Sequence, residues 1–300
     1  MRKHPVIFGM LILLGVCVFS YFSFYRMGLH SGKSKNFSFK SNKIGVVYVD
    51  GVINDSMAIT EQLDDFAKDD SIAAVVLRVD SPGGGVAASQ EIYDAVIELR
   101  KTKKVVASMG SIAASGGLLV ACAADKIVAN PGTITGSISA IMHFANFEEL
   151  LKKVGVKSSV VKSGQYKDIG SPVREMTPEE KVIVQELVDD IFNQFVDVIV
   201  KERKLPREKV VEIADGRVFS GRKAKELGLV DYLGDMTFAV KEASQLAGKK
   251  GEYELVYPSK KRLSVLDYFM ESAANKISSS FKEKIESTGG GLSYIYYPAR

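Results

Sequence analysis

Ser115 stands in the run Met109 to Ala121, MGSIAASGGLLVA, between small residues and directly before a Gly-Gly pair. That pattern reads as a strand-to-helix turn presenting one hydroxyl. A serine hydroxyl is a weak nucleophile until a neighbour takes its proton, and the usual neighbour is histidine. The chain has three, and His4 and His30 flank an apolar N-terminal segment. His143 lies in the apolar run SAIMHFANF, which reads as a packed core position rather than a base. A lysine can serve instead where burial or neighbours keep its amine neutral. Lys167 has the right setting: VKSSVVKSGQYKDIGSP reads as an alternating strand, Val156 to Val161, followed by a glycine-containing loop that delivers the lysine and stops at Pro172. Charge counting does not select it among 40 Lys and Arg.

Four segments in this order, DSPGGG at 80 to 85, GSIAASGG at 110 to 117, ADKIVANPGTITGSI at 124 to 138 and SGQYKDIGSP at 163 to 172, together resemble the bacterial signal peptide peptidase SppA family in its short, single-repeat form. The resemblance runs from about Ile44 to about Ala247. It implies a Ser/Lys dyad with Ser115 as nucleophile and Lys167 as general base, and with Ser137 hydrogen-bonded to the lysine. It also implies an oxyanion hole built from the backbone N–H of Gly84 and, as second donor, that of Gly116. Glycine suits such a position because the chain must approach the substrate carbonyl closely, and donors aimed at the developing oxyanion lower the barrier. One departure from the family pattern is Ser139, where the family usually continues TGSIG. It bears on substrate fit and leaves the implied catalytic atoms alone.

Each motif also has a plainer reading. DSPGGG can be a turn after a buried strand, since Pro and Gly dominate turns. Ser115 and Ser137 can be small residues that allow close packing. Neither GxxxxGK[ST] nor a GxGxxG placed after the first strand occurs, so nucleotide binding has no support. Two rival functions stand beside the peptidase: a crotonase-like acyl-CoA enzyme using a similar glycine oxyanion hole, and a non-catalytic membrane scaffold.

Composition sets the outer bounds. A chain of 300 residues, 46% hydrophobic and 25% charged, can bury a proper core. A net charge of +4 gives no argument for nucleic acid. Cys17 and Cys122 lie in separate apolar segments, so no disulfide is expected, and Cys/His ligands are too few for a metal site. No metal, nucleotide or organic cofactor is expected.

Pro5 to Tyr25 carries no charge, and a helix of that length spans roughly 30 Å, a bilayer core. The end of the segment, SYFSFYRMG at 20 to 28, lacks a convincing signal-cleavage site, so one uncleaved transmembrane helix is expected. Arg2 and Lys3 precede the segment while Arg26, Lys33, Lys35, Lys40 and Lys43 follow it. By the positive-inside rule the large domain would stay in the cytoplasm. The family resemblance implies the opposite, a single-pass protein of the bacterial cell membrane with its catalytic domain outside the cytoplasm, and that orientation is preferred. The basic stretch then serves as a tether beside anionic headgroups.

The expected domains are an N-terminal transmembrane anchor over 1–27, a linker over 28–43, a catalytic peptidase domain over 44–247 and a C-terminal extension with a flexible tail over 248–300. Strands at Ile44 to Val49, Ile72 to Val79 and Lys104 to Met109 alternate with helices near Ala58 to Lys68 and Val86 to Arg100, an α/β pattern with largely parallel strands. The resemblance narrows this to a Clp-protease/crotonase-like fold of repeated ββα units. Thr177-Pro178-Glu179-Glu180 predicts a capped start for a long amphipathic helix ending near Pro206. Helices near Arg207 to Ala214 and Thr237 to Ala247 close the domain, and RVFSGRKAKELGLVD between them reads as a turn. A short strand at Tyr253 to Tyr257 and an amphipathic segment at Leu263 to Ile285 follow. Leu292 to Tyr297, after a triple glycine, is expected to be disordered or to occupy an active-site groove. The partners implied are peptide substrates left from secretion, membrane lipid, and further copies in a homo-oligomeric ring whose active sites form where subunits meet.

Overall fold

The computed structural model describes residues 43–249 and 252–258, the backbone of 292–295, and Gly15 and Val18 within the N-terminal segment. The expected transmembrane helix apart from Gly15 and Val18, the linker apart from Lys43, and the amphipathic segment at 263–285 therefore lie outside the described residues. Among the described residues no helix is long and apolar enough to cross a membrane.

The backbone of the fold is a parallel sheet in the order β9-β1-β2-β3-β4-β8. Its strands are β1 (Lys43–Ile53), β2 (Ile72–Gly85), β3 (Lys104–Ala114), β4 (Lys126–Ala129), β8 (Tyr232–Leu233) and β9 (Glu254–Val256). Helices cover both faces, which is why the strands read as continuous apolar runs rather than alternating ones. In β2, Val75, Leu77 and Val79 point into one core and Ala74 and Val76 into the other. The first core is closed by α1 (Met57–Lys68), α2 (Val86–Arg100), α3 (Gly116–Cys122) and α5 (Pro178–Arg203), the second by α8 (Met236–Leu246) through Ala239, Val240 and Ala243. Ile92, Val96 and Leu99 of α2 are fully or almost fully buried, each contributing about 1.5–3 kcal/mol of apolar transfer.

The strands run past the parallel sheet at their carboxyl ends, and there the pairing changes. A register shift between Val79 and Ser81 loosens β2 from β3, leaving only Ser81 opposite Ala113. The end of β3, Ile112 to Ala114, instead pairs with β5 (Ile134–Gly136), which pairs antiparallel with β7 (Val218–Ser220). β2 continues alone along β1, with Val52 opposite Gly83 and Ile53 opposite Gly84. Its other edge is taken by β10 (Leu292–Ile295), antiparallel, which also pairs with β6 (Ile141–Met142).

Helix α5 begins as its sequence dictates. Thr177 N–H donates to Glu180 Oε2 at 2.9 Å, and Glu180 N–H donates to Thr177 Oγ1 at 3.2 Å, the reciprocal capping box. It ends at Lys204, whose left-handed φ of 54° turns the chain toward Pro206. Ile191, Phe195 and Ile199 are buried along the expected face, while Leu187 of the same stripe is exposed.

Three expectations are corrected. Val156 to Val161 is not a strand: the alternation finds no sheet partner among the described residues, and Val161 is fully exposed. His143 is exposed rather than packed, in a segment where Phe144 and Phe147 are exposed as well. RVFSGRKAKELGLVD holds β7 and a helix, α7 (Gly221–Glu226), N-capped by Ser220, whose Oγ accepts from Lys223 N–H. The short helices α4 (Glu148–Lys153) and α6 (Arg207–Ile213) complete the described elements.

Candidate active site

Ser115 follows the last residue of β3 and precedes the first of α3, so the turn must reverse direction within one residue. It does so at φ 54° and ψ −120°, a conformation that costs a non-glycine residue about 1–3 kcal/mol. Strain of that size persists only where surrounding bonds impose it. Ser115 N–H donates to the Gly136 carbonyl at 2.8 Å, and its own carbonyl accepts from Leu119 N–H at 3.0 Å, tying the residue to β5 and to α3 together. The residue is 1% exposed, and among the described residues its hydroxyl makes no hydrogen bond.

Gly116 shows how closely the next backbone comes. A Cβ there would lie 2.4 Å from Ser89 Oγ and 3.3 Å from both Gly83 Cα and Gly84 N. The start of α3, directly after Ser115, is thus pressed against the glycine turn of β2. Gly84 is enclosed from the opposite side, since a Cβ on it would meet the Ile53 carbonyl oxygen at 2.1 Å and Ile53 N at 2.6 Å. Both are backbone atoms of β1 and cannot swing away. Gly84→Ala is therefore expected to destabilise the protein by about 1–3 kcal/mol in chemical denaturation and to remove activity. Gly132→Ala, whose Cβ would meet nothing within 4 Å, is the neutral comparison.

Several polar side chains hold this geometry, and reading motifs for chemistry passes over them. Ser89 Oγ donates to the Gly85 carbonyl at 2.9 Å, and Gly83 N–H donates to Ser81 Oγ at 3.1 Å, so the glycine turn is pinned at both ends. Asp80 Oδ1 accepts from Ile112 N–H at 3.0 Å and its carboxylate fills the space beside Gly110, bracing β3 where it leaves β2. Thr133 and Thr135 donate their hydroxyls to the carbonyls of Gly110 and Ala113 at 2.7 and 2.6 Å. The Asp and Ser of DSPGGG were the available signal, since short polar side chains beside glycines commonly bond local backbone.

Ser137 lies next to Gly136, also at positive φ, 51°, and 7% exposed, with its N–H donating to the Arg217 carbonyl at 2.8 Å. β5 therefore brings it to the same end of the sheet as Ser115. Lys167 is placed differently. It is exposed in a loop, its backbone N–H donating to the Gly164 carbonyl at 3.2 Å, and no hydrogen bond links its side chain to Ser115 or Ser137.

The loop itself is well anchored beyond the lysine. Asp168 pairs with Lys162 and Arg174, and Arg174 pairs in turn with Glu180. The two hydrogen bonds, from Arg174 first and Lys162 second, hold the Asp168 carboxyl far below the usual carboxylate range. Arg174 likewise lowers Glu180, to about 2. Burial pushes the Cys122 thiol up to about 12, which leaves it an inert core group, and Cys17 lies outside the described residues.

The edge of Gly83 to Gly85 beside Ser115 is occupied by the chain's own tail. Ser293, Tyr294 and Ile295 pair with Gly85, Gly84 and Gly83, antiparallel, and Leu292 and Ser293 pair with Met142 and Ile141 on the other side. Of the two readings of this tail, groove occupant and disordered end, the strand pairing supports the first.

The sequence model of peptidase family S49 matches residues 97–250, and that of Clp protease matches residues 33–133. The α/β fold is of the Clp-protease kind. A Synechocystis sp. protein with a provisional protease name is 53% identical over 175 residues, 58% of this chain and 63% of its own length. A provisionally named signal peptide peptidase SppA of Enterococcus faecium is 38% identical over 174 residues, 58% of this chain and 51% of that one. Protease 4 of Salmonella typhi is 35% identical over 253 residues, 81% of this chain and 40% of that protein. The chain thus spans less than two thirds of the length of each of these relatives.

Proposed function

The chain belongs to peptidase family S49, and from that premise we propose that it is a membrane-anchored serine endopeptidase that degrades remnant signal peptides and other apolar, unfolded peptides. The observation that carries this reading is Ser115, held in a strained turn directly before Gly116, whose backbone presses on that of Gly84, with no hydrogen-bond partner for its hydroxyl among the described residues. A buried hydroxyl without a partner costs stability, and such costs concentrate where chemistry is done.

In the proposed reaction, an extended peptide lies antiparallel to Gly83 to Gly85, as Leu292 to Ile295 does. Lys167, in its neutral form, takes the proton of Ser115 Oγ, and the oxygen attacks the scissile carbonyl carbon. Charge developing on the carbonyl oxygen is met by the N–H groups of Gly84 and Gly116. Collapse breaks the C–N bond, the lysine returns its proton to the departing amine, and an ester joins the acyl portion to Ser115. Water, deprotonated by the same lysine, releases the acid and restores the hydroxyl. Ser137 orients the amine. No step in this scheme calls for a metal or an organic cofactor.

Lys167 reaches Ser115 from a neighbouring subunit in this proposal. Two observations support it: the lysine is exposed while the serine is buried, and the segment leading to it exposes Ile141, Phe144, Phe147, Leu150, Val154 and Val161. Apolar surface on that scale within one segment marks an interaction site, which fits a homo-oligomeric ring. The transmembrane segment at 5–25 tethers the ring to the bacterial membrane, with the catalytic domain outside the cytoplasm.

A fluorophosphonate probe, which phosphonylates activated serines with loss of fluoride, tests the centre of the reading. One modified residue is expected, Ser115, and labelling should block hydrolysis of an apolar reporter peptide. Labelling that maps to another serine, or full hydrolysis after complete labelling of Ser115, would refute it.

A further inference from the structure

We propose that Arg174 is a positioning residue for Lys167: its guanidinium fastens the loop carrying the lysine to the N-terminus of α5, and turnover depends on that fastening. The inference rests on the reading of Lys167 as general base. Lys167 is exposed, and among the described residues no hydrogen bond or ion pair of its own side chain holds it, so the amine is placed by the backbone that carries it. The turn bonds around it, Lys167 N–H to Gly164, Ile169 N–H to Tyr166 and Ser171 N–H to Asp168, shape the loop but do not join it to the body.

Arg174 makes the join. Its Nε–H donates to Asp168 Oδ2 at 2.9 Å, and Nη2 donates to the Asp168 carbonyl at 3.1 Å, so both ends of the residue directly after the lysine are gripped. Nη1 and Nη2 donate to Glu180 Oε2 and Oε1 at 2.7 and 2.5 Å, and Nη1 also to the Glu175 carbonyl at 2.9 Å. All five N–H groups of the guanidinium are used. A lysine at 174 cannot reproduce that fork, so a conserved charge alone does not keep the join.

The anchor is rigid. Glu180, 3% exposed at its side chain, is fixed by the capping box of α5, and α5 is held by buried Ile191, Phe195 and Ile199. Lys162 adds a second cation on Asp168, so that carboxylate is committed to two partners other than Lys167. On the far side, Gly170 lies at φ 76° against the Phe144 ring, and Phe147 N–H donates to the Pro172 carbonyl at 2.7 Å. A displacement of the base by about 1 Å can cost roughly a hundredfold in rate.

The test is steady-state hydrolysis of an apolar peptide by the full-length protein, with oligomeric state followed by light scattering. Arg174→Lys and Asp168→Asn are each expected to lower kcat roughly 10- to 100-fold with KM changed by no more than about twofold. Combining them should cost no more than the worse single change, because both break one join. Should Arg174→Lys fail to fold, Asp168→Asn decides alone, since it leaves the Arg174 to Glu180 bonds in place. A kcat within about twofold of the parent, losses that multiply, or losses that only follow dissociation of the oligomer would overturn the proposal. Lys167→Ala, run alongside, separates the premise from the inference: if it keeps full activity the general-base reading falls, and if it is inactive while Asp168→Asn is fully active only the role of Arg174 falls.

Discussion

Ser115→Ala is expected to lower peptide hydrolysis by roughly a thousandfold or more, and Lys167→Ala by a comparable factor, with the double variant no worse than either. The lack of additivity follows from the roles. A base without its nucleophile and a nucleophile without its base both leave only binding and the oxyanion donors at work. Stability should move the other way at the serine. Its hydroxyl is buried and, among the described residues, has no hydrogen-bond partner, so replacing it by a methyl hydrogen removes a desolvated polar group. The backbone strain at φ 54° is unaffected, because alanine meets the same restriction as serine there. The melting temperature of Ser115→Ala is therefore expected to hold or rise while activity is lost, a combination that a purely structural serine does not give. At Lys167 the side chain is exposed, and its removal should leave melting unchanged. A Ser115→Ala protein that hydrolyses the reporter at the parent rate would end the proposed mechanism, whatever its melting point.

The sequence carries the parallel sheet clearly because its strands are buried on both faces. Apolar runs such as Ile72 to Val79 admit few other readings, and helix α2 spans Val86 to Arg100, the expected bounds. The ends of strands are less legible. β2 and β3 extend to Gly85 and Ala114, well past their apolar runs, because edge pairing with β1, β5 and β10 continues through glycines and serines that carry no hydrophobic signal. The approach of Gly116 to Gly84 is one the family resemblance implies and the motifs alone leave open, although only residues without bulk permit backbones to meet so closely. The grip of Arg174 on Asp168 and Glu180 was legible in neither. Its partners are six residues away on either side, a spacing with no helical or strand periodicity, and ion pairs between loop and helix are set by tertiary placement. The misreading of Val156 to Val161 has a related cause. Alternation reports a surface with one apolar side, and here nothing among the described residues covers that side.

That uncovered segment leads to the second large effect. Mixing two inactive proteins, Ser115→Ala and Lys167→Ala, under conditions that let subunits exchange is expected to restore about one quarter of the parental activity. The figure follows from the geometry of a ring with heterologous contacts, in which each site takes its serine from one subunit and its lysine from the next. In a random one-to-one mixture, a site is intact only when a subunit with the native serine meets a neighbour with the native lysine. If both groups came from the same chain, every site would lack one of them and no activity would return. The exposed lysine, the buried serine and the apolar approach from Ile141 to Val161 all favour the first outcome. Subunit exchange can be followed independently by fluorescence transfer between differently labelled copies. Full exchange with no recovered hydrolysis would place the base within its own chain. Recovery would also explain why the Ser115 hydroxyl has no partner among the described residues, since the proton acceptor would then arrive with a neighbouring copy, and a copy released from such a ring could not cut the proteins around it.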